Sequence, residues 1–211
     1  EVGGDEACTN GQVVRIPDVG DDPLAKSLAW GYLSHEAAHV RFTDFQASQA
    51  TFAKGGLVRS VLNILEDVRI EKAIIGTYPG TRSTLDEVLR WLLDQGTISA
   101  PKEGDSPPGV LGNALLVMAR HRYRRQVFLK KVALEAERVL RKTFPPSFVH
   151  RLLGLLTEVP GLASTQETAD LAERIVALIQ DEAKESPPPS EKPAAPDEAE
   201  GDGEGADQPE E

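Results

Sequence analysis

The segment His35-Glu36-Ala37-Ala38-His39 places two histidines four residues apart, which is the spacing of neighbours on one face of an α-helix. The residues before it favour a helix, because Pro23 suits the first helical position and Asp22 suits the capping position just before it. Side chains suited to a buried face then recur at steps of three and four residues: Leu24, Leu28, Tyr32 and Phe42. The sequence therefore predicts a helix whose inward face carries both imidazoles.

Two imidazoles on one helical turn can bind the same metal ion, and zinc is commonly held in this way. In zinc peptidases with this spacing, the glutamate after the first histidine acts as a general base on the metal-bound water. We therefore expect His35 and His39 to bind one zinc ion per chain and Glu36 to be catalytic. A catalytic zinc site normally has a third protein ligand, which must come from elsewhere in the chain.

The third ligand is expected on a second helix within residues 57–75, where a buried apolar pattern is interrupted by three acids and an arginine. Buried carboxylates need partners, which a metal and histidine N–H groups would supply. We prefer Glu66 as the ligand, while Asp67 and Glu71 stay open as alternatives. In the preferred arrangement the other polar residues orient the imidazoles or neutralise charge: Asp67, Arg69 and Glu71. A solvated face with acid–arginine pairs is the other interpretation.

Two further residues near these helices are considered for the site. Asp44 follows His39 by five residues and would reach the metal only if the first helix ended sharply, for which the sequence has no glycine or proline. Tyr78 follows the second helix, and its hydroxyl is a candidate donor to a tetrahedral intermediate. A buried tyrosine with a satisfied hydroxyl explains the same residue equally well.

Three segments together resemble a known family: residues 7–17, 33–39 and 63–71 are similar to the metallopeptidase domain of cobaltochelatase T-subunit-like proteins. In that group a gluzincin-like domain is followed by an acidic linker and a von Willebrand factor A domain. The resemblance implies zinc ligands at His35, His39 and Glu66, with Glu36 as catalytic acid or base. Chelatase subunits keep the Glu-x-x-Arg-x-Glu run but not the histidine pair, so we expect the peptidase-like branch.

The function expected from this resemblance is a zinc-dependent metallopeptidase of gluzincin type, which hydrolyses a peptide or protein substrate with a zinc-bound water. The alternative is a non-catalytic zinc-binding adaptor. It would couple a von Willebrand factor A module to a MoxR-type AAA+ ATPase, as in chelatases. Because an adaptor has no need of Glu36, the sequence favours the peptidase.

The rest of the pattern predicts a mainly α fold with a small β element, of the zincin-like α+β class. In this fold the helix with the histidine pair packs against the helix with the third ligand. Residues 12–16 predict a strand, either an edge that pairs with a peptide or a plain hairpin arm. Four or five more helices are expected between residues 81 and 184. Two capping boxes are predicted in this region: Ser83 with Asp86, and Ser164 with Glu167.

The acidity of the chain is concentrated at its end. Residues 186–211 contain nine acids and one lysine, which gives −8 of the formal net charge of −11. Such a segment has almost nothing to bury and predicts a disordered tail or linker. We therefore expect a zincin-like domain over residues 1–185, an acidic tail over residues 186–211, and a longer parent protein.

Basic residues are concentrated at residues 120–125, Arg-His-Arg-Tyr-Arg-Arg. A solvated helix face is favoured there over a site for the acidic tail, a partner surface or a phosphate. The single cysteine, Cys8, excludes an internal disulfide, and no stretch is apolar enough for a membrane span. We expect a cytoplasmic protein without nucleic-acid or membrane partners.

Overall fold

The computed structural model describes residues 7–16 and 23–185, which form eight α-helices and one two-stranded sheet. The strands are β1 (Cys8–Thr9) and β2 (Val14–Arg15), and the helices are α1 (Pro23–Phe42), α2 (Phe45–Phe52), α3 (Gly56–Thr77), α4 (Thr81–Asp94), α5 (Pro107–Tyr123), α6 (Lys130–Thr143), α7 (Pro146–Leu156) and α8 (Thr165–Glu185). Single turns of 3-10 helix lie at Val127–Leu129 and Val159–Gly161. The prediction of a mainly α fold with a small β element is confirmed. Its zincin-like detail stays a prediction.

The two strands form an antiparallel hairpin that lies against α1. Cys8 is opposite Arg15 in the pairing. The turn is closed by Asn10, whose Oδ1 accepts a hydrogen bond from the backbone N–H of Gln12 at 3.0 Å, as asparagine commonly does in turns. The predicted strand is therefore present, beside the helix that carries the two histidines.

Helix α3 is the centre of the molecule, because α1, α2, α4, α5 and α8 all pack against it. One run of its apolar side chains, including Leu62 and Leu65, joins the main core with α5 to α8. A second run, including Ile70 and Ile74, forms a smaller cluster with Ala38 of α1. Since α3 is covered on most sides, the polar residues that interrupt its apolar pattern must find partners inside the protein: Glu66, Arg69 and Glu71, which are buried, and Asp67, which is partly buried.

Helices α1 and α4 approach each other closely at a glycine, Gly31. A Cβ added at Gly31 would lie 2.3 Å from Val88 Cγ2 and 2.5 Å from the Thr84 carbonyl oxygen. No side chain fits in that space, so the backbones pack directly on each other. This contact fixes the position of α1 along α4, and with it the position of the two histidines.

Helix α1 does end sharply, at Phe42, although no glycine or proline stands there. Asp44 begins the next helix: its Oδ1 accepts hydrogen bonds from the backbone N–H groups of Gln46 at 2.9 Å and Ala47 at 3.1 Å. This is an N-cap, which satisfies donors that a helix leaves unpaired. The Asp44 carboxylate is therefore used in the cap of α2, a helix that the sequence pattern did not predict.

Of the two predicted capping boxes, one is wrong and one is present in part. Helix α4 begins at Thr81, so Ser83 lies inside it, and its hydroxyl donates to the Gly80 carbonyl at 3.0 Å. At the start of α8, the backbone N–H of Glu167 donates to Ser164 Oγ at 3.2 Å, as the box requires, but Glu167 Oε2 accepts from the backbone N–H of Ala163 at 2.7 Å, one residue before Ser164.

Several predictions concern residues that the structure does not describe or properties that it does not test. Asp22 and residues 186–211 lie outside the described residues, so the capping role of Asp22, the disordered tail and the domain boundary stay predictions. Within the described ranges, no helix combines the length and the apolar character needed to cross a bilayer. The cytoplasmic location also stays a prediction.

Candidate metal centre

The two histidines of α1 converge on one carboxylate oxygen of α3. Asp67 Oδ1 lies 3.6 Å from His35 Nε2 and 3.3 Å from His39 Nε2. The imidazole centroids are 4.9 Å apart, and one ligand atom from each of the three residues lies within 4.8 Å of the other two. The structure thus brings together the predicted histidine pair and one of the two alternative carboxylates, Asp67.

A chain of hydrogen bonds fixes the tautomer of His39. Its Nδ1 lies 3.0 Å from Thr43 Oγ1, and the Thr43 hydroxyl donates to Glu66 Oε1 at 3.0 Å. Because a hydroxyl has one proton to give, Thr43 must accept from the Nδ1–H of His39. In the neutral imidazole, the lone pair is then on Nε2, the atom that faces Asp67.

His35 is held in the same way by a different carboxylate. Its Nδ1 lies 3.1 Å from Glu71 Oε1, and an ionised carboxylate only accepts hydrogen bonds. Burial disfavours the charged ring, but the charge of Asp67 and the hydrogen bond to Glu71 outweigh it and raise the pKa of His35 to about 9. A metal ion at Nε2 therefore has to displace a proton at neutral pH.

Glu66, the preferred third ligand, has both carboxylate oxygens bound by other groups. Arg69 donates to its Oε2 at 2.8 Å and to its Oε1 at 2.6 Å, and the hydroxyls of Thr43 and Thr165 donate to Oε1 at 3.0 and 2.8 Å. Burial opposes ionisation, yet these donors hold the pKa of Glu66 below its usual value. Glu66 is not in the cluster of ligand atoms around the histidines, so its ligand role stays a prediction without geometric support.

The basic run at the end of α5 supplies two buried partners for the acids of α3. Arg120 and Arg124 are only 7% and 3% exposed, so the prediction of a solvated face is wrong for them. They donate to Glu71 at 3.0 and 2.8 Å, and Arg120 also reaches Asp67 Oδ2 at 3.3 Å. Burial opposes the Glu71 charge, but these cations hold the pKa of Glu71 far below its usual value.

Arg69 and Tyr78, the other two residues that the sequence suggested for the site, differ in burial. Arg69 is buried beside Glu66 and donates also to the Phe42 carbonyl at 2.7 Å, which ties α3 to the end of α1. Tyr78 is half exposed, with the Arg41 guanidinium 5.8 Å from its ring centroid. Tyr78 lines neither of the cavities at the cluster, so nothing supports its proposed hydrogen bond to a reacting group.

Glu36 lies between two cavities that meet at the histidine cluster. Cavities of about 360 and 500 Å³ share His35, Glu36 and Asp67 in their walls. Glu36 is 4% exposed, and burial raises the pKa of its carboxyl group. Within residues 7–16 and 23–185, no arginine or lysine forms an ion pair with it.

The charges around the cluster suit a metal cation in place of the proton on His35. Three buried or partly buried acids of α3 are matched by three arginines: Glu66, Asp67 and Glu71 with Arg69, Arg120 and Arg124. Glu36 is an additional carboxylate in the same walls. Two imidazole nitrogens and one carboxylate oxygen, held from behind by fixed hydrogen bonds, are a donor set that suits zinc and similar divalent ions. The residues present therefore fit a zinc site.

Comparison with protein families identifies the chain. The family model described as cobalamin biosynthesis protein CobT matches residues 1–211. The chain belongs to this family. No curated protein and no solved structure has significant similarity to the chain. The resemblance to cobaltochelatase T-subunit-like proteins is thus confirmed for the family as a whole, and the gluzincin domain is not confirmed.

The family corrects the function expected from the histidine motif. CobT proteins are chelatase subunits and not peptidases, so the prediction of a zinc metallopeptidase, and with it that of a hydrolase, is wrong. The peptide substrate has no support. The histidine spacing indicates only that the two side chains can bind one metal ion. Metal sites that do not catalyse hydrolysis use the same side chains, so the motif did not predict the function.

Sequence reasoning missed four of the residues that build the cluster: Thr43, Thr165, Arg120 and Arg124. The two arginines come from 49 to 53 positions beyond the acids they bind, and no local spacing connects them. The acids of α3 gave a weaker indication that cationic partners were needed. Three carboxylates on one buried helix need about as many cations, and residues 120–125 are the one basic run in the sequence.

Proposed function

We propose that this chain is a non-catalytic, metal-binding adaptor of a chelatase-type complex, which couples a von Willebrand factor A module to a MoxR-type AAA+ ATPase. The family match over residues 1–211 carries this proposal. Proteins of the family associate with a von Willebrand factor A-containing partner in chelatase complexes. We extend that association to this chain, and we add to it an AAA+ ATPase as second partner and the role of coupling the two.

The metal of the proposed adaptor is one zinc ion, bound by His35, His39 and Asp67. Support comes from the two Nε2 atoms that face Asp67 Oδ1 and from the hydrogen bonds that hold each Nδ1. Groups that orient the imidazoles in this way are typical of zinc sites. Asp67 replaces Glu66 as the third ligand in this proposal because the Glu66 oxygens already accept four hydrogen bonds.

Zinc would act as a Lewis acid that clamps α1 to α3 when bound. The chain's own residues set the geometry of that clamp. Glu71 and Thr43 hold the outer nitrogens of the histidines, and Arg120 holds the second oxygen of Asp67. Helix α1 also packs on α4 and on the hairpin, so the clamp would fix the relative positions of several surfaces that partners can bind.

The adaptor role is tested by reconstitution with purified partners. The von Willebrand factor A-containing partner and the AAA+ ATPase are mixed with and without this chain and separated by size-exclusion chromatography with light scattering. We expect one assembly that contains all three proteins, and no assembly of the two partners when the chain is omitted. If the partners assemble equally well without the chain, or the chain binds neither of them, the adaptor proposal is wrong.

A further inference from the structure

A basic pocket lies where the end of α5 meets α3 and the start of α4. Its volume is about 300 Å³. Five cationic side chains and one tyrosine account for its polar wall: Lys72, Arg82, Arg122, Arg124, Arg125 and Tyr123. No acidic side chain from residues 7–16 or 23–185 is part of the lining.

Only two of the five cations have a carboxylate partner within the described ranges. Arg124 donates to Glu71 at 2.8 Å, and Arg122 donates to Glu137 at 2.5 Å. Lys72 donates to the carbonyl of Pro160, another lining residue, at 2.8 Å, and for Lys72, Arg82 and Arg125 the described residues provide no ion pair. These three side chains are exposed, and with no acid in the lining they give one concavity an excess of positive charge, which attracts anions.

Arg125 has an uncommon backbone conformation at the rim of this pocket. Its φ is +57°, and it is the one non-glycine residue with positive φ in the described parts of the chain. It directly follows the C-cap of α5, a place where glycine is usual because a side chain costs about 1 kcal/mol or more there. Such conformations at a concave charged site point to a functional reason for the side chain.

We propose that this basic pocket binds an oxyanion of the phosphate class, either inorganic phosphate or the phosphoryl group of a nucleotide. Arginine is the residue best suited to phosphate, because its planar group donates two parallel hydrogen bonds. The pocket volume is at the small end of ligand sites, which fits one compact anion. The acidic segment 186–211 is the competing occupant, but its nine carboxylates are spread over 26 residues, whereas a small cavity accommodates one compact anion.

The experiment is calorimetric titration of the full chain with inorganic phosphate and, separately, with ADP, at constant ionic strength. Two pocket variants, Arg125→Gly and Arg82→Gln, are compared with Lys131→Gln, which removes the same charge from an exposed position outside the pocket. Arg124 is not varied, because its loss would leave Glu71 buried with one partner fewer.

We expect each pocket variant to weaken phosphate binding about tenfold, the worth of one charge-assisted hydrogen bond, and Lys131→Gln to leave binding unchanged. Arg125→Gly should melt at the same temperature as the wild type or higher, since glycine prefers that backbone conformation. Loss of binding in that variant therefore cannot be attributed to unfolding. Tighter binding of ADP than of phosphate would identify a nucleotide as the source, and equal binding would identify free phosphate.

Two results would overturn the proposal. The first is equal phosphate affinity in the wild type and both pocket variants, or an equal loss in Lys131→Gln, which would indicate diffuse attraction only. The second concerns the acidic segment. In a full chain whose nine acids after residue 186 are changed to amides, a rise of about tenfold or more in phosphate affinity would show that the segment itself occupies the pocket.

Discussion

At the scale of single residues, the metal-centre account depends on which carboxylate of α3 faces the histidines. Asp67→Asn should lower zinc affinity about a thousandfold, because it removes one of three protein ligands. Glu66→Gln should cost about 10- to 100-fold, since Glu66 acts on the site only through Thr43 and His39. Competition with a chelator of known affinity measures both values. The opposite order would restore Glu66 as the ligand.

The sequence places the candidate third ligand on α3 and prefers Glu66, whereas the structure has the neighbouring residue Asp67 facing the histidines. Consecutive residues on a helix point about 100° apart, and the apolar pattern of a helix buried on most sides does not fix its rotation. The pairing of Glu66 with Arg69, three positions on, is visible in the sequence as a common local pair. The contribution of Thr165, which is 99 positions away, is not.

A second residue-scale prediction concerns Glu71, which joins His35 to two buried arginines. Glu71→Gln should lower the free energy of unfolding of the metal-free protein by about 3 kcal/mol at pH 7, because it leaves buried Arg120 with only Asp67 and buried Arg124 with only Asp86 as charge partner. Chemical denaturation in the presence of a chelator measures this difference.

The same variant has a defined pH dependence. The pKa of Glu71 is lowered by folding, so the stability it contributes is complete above the usual glutamate pKa of about 4.3 and is lost as the pH falls below that value. The difference between wild type and Glu71→Gln should therefore stay nearly constant down to about pH 5 and shrink between about pH 5 and about pH 3. An unchanged difference over that lower range would show that the carboxylate charge is not what stabilises the fold.

At the scale of elements, the contact of α1 with α4 should tolerate no side chain at Gly31. Gly31→Ala should destabilise the protein by about 1–3 kcal/mol, because the new Cβ would overlap Val88 and the α4 backbone. Gly112→Ala is the matched control, since Gly112 is inside α5 with no atom within 4 Å of its added Cβ. That change should stabilise by about 0.5–1 kcal/mol through helix propensity alone. Two stabilised variants in urea denaturation would exclude the close contact.

The elements differ in how far the sequence predicts them. Helices α1 and α3 follow from long apolar patterns, which are the strongest local signal. Helix α2 was missed because it is eight residues long and its N-cap, Asp44, was considered instead as a metal ligand. The start of α4 was placed too late because Ser83 and Asp86 have capping-box spacing. In the structure Asp86 accepts from the side-chain amide of Gln126 at 2.8 Å, a partner 40 positions away.

At the scale of the whole molecule, metal binding and folding should be coupled. A ligand that binds only the folded state adds about 2.7 kcal/mol of stability at 100 times its dissociation constant. Zinc in that excess should raise the melting temperature of the wild type, and a chelator should reverse the rise. His39→Ala should show no response to zinc in the same range. A similar rise in that variant would indicate zinc binding elsewhere on the chain.

The function of the whole molecule was the least predictable property. The spacing of His35 and His39 fixes which atoms can meet on one helix face, and the structure agrees with it. It does not determine what the site does, because the reaction depends on partners and on the groups around the metal. A peptidase and an adaptor predict the same sequence patterns except at Glu36, which only the peptidase needs. The family match was therefore required to distinguish the two functions.

The most direct test of the central claim, one metal ion held between α1 and α3, is the zinc content of purified protein. The wild type and His150→Ala should each contain one zinc per chain, because His150 is exposed and outside the cluster. The double variant with His35→Ala and His39→Ala should contain none, at unchanged helix content by circular dichroism. One zinc per chain in the double variant, or none in the wild type after zinc dialysis, would contradict the account.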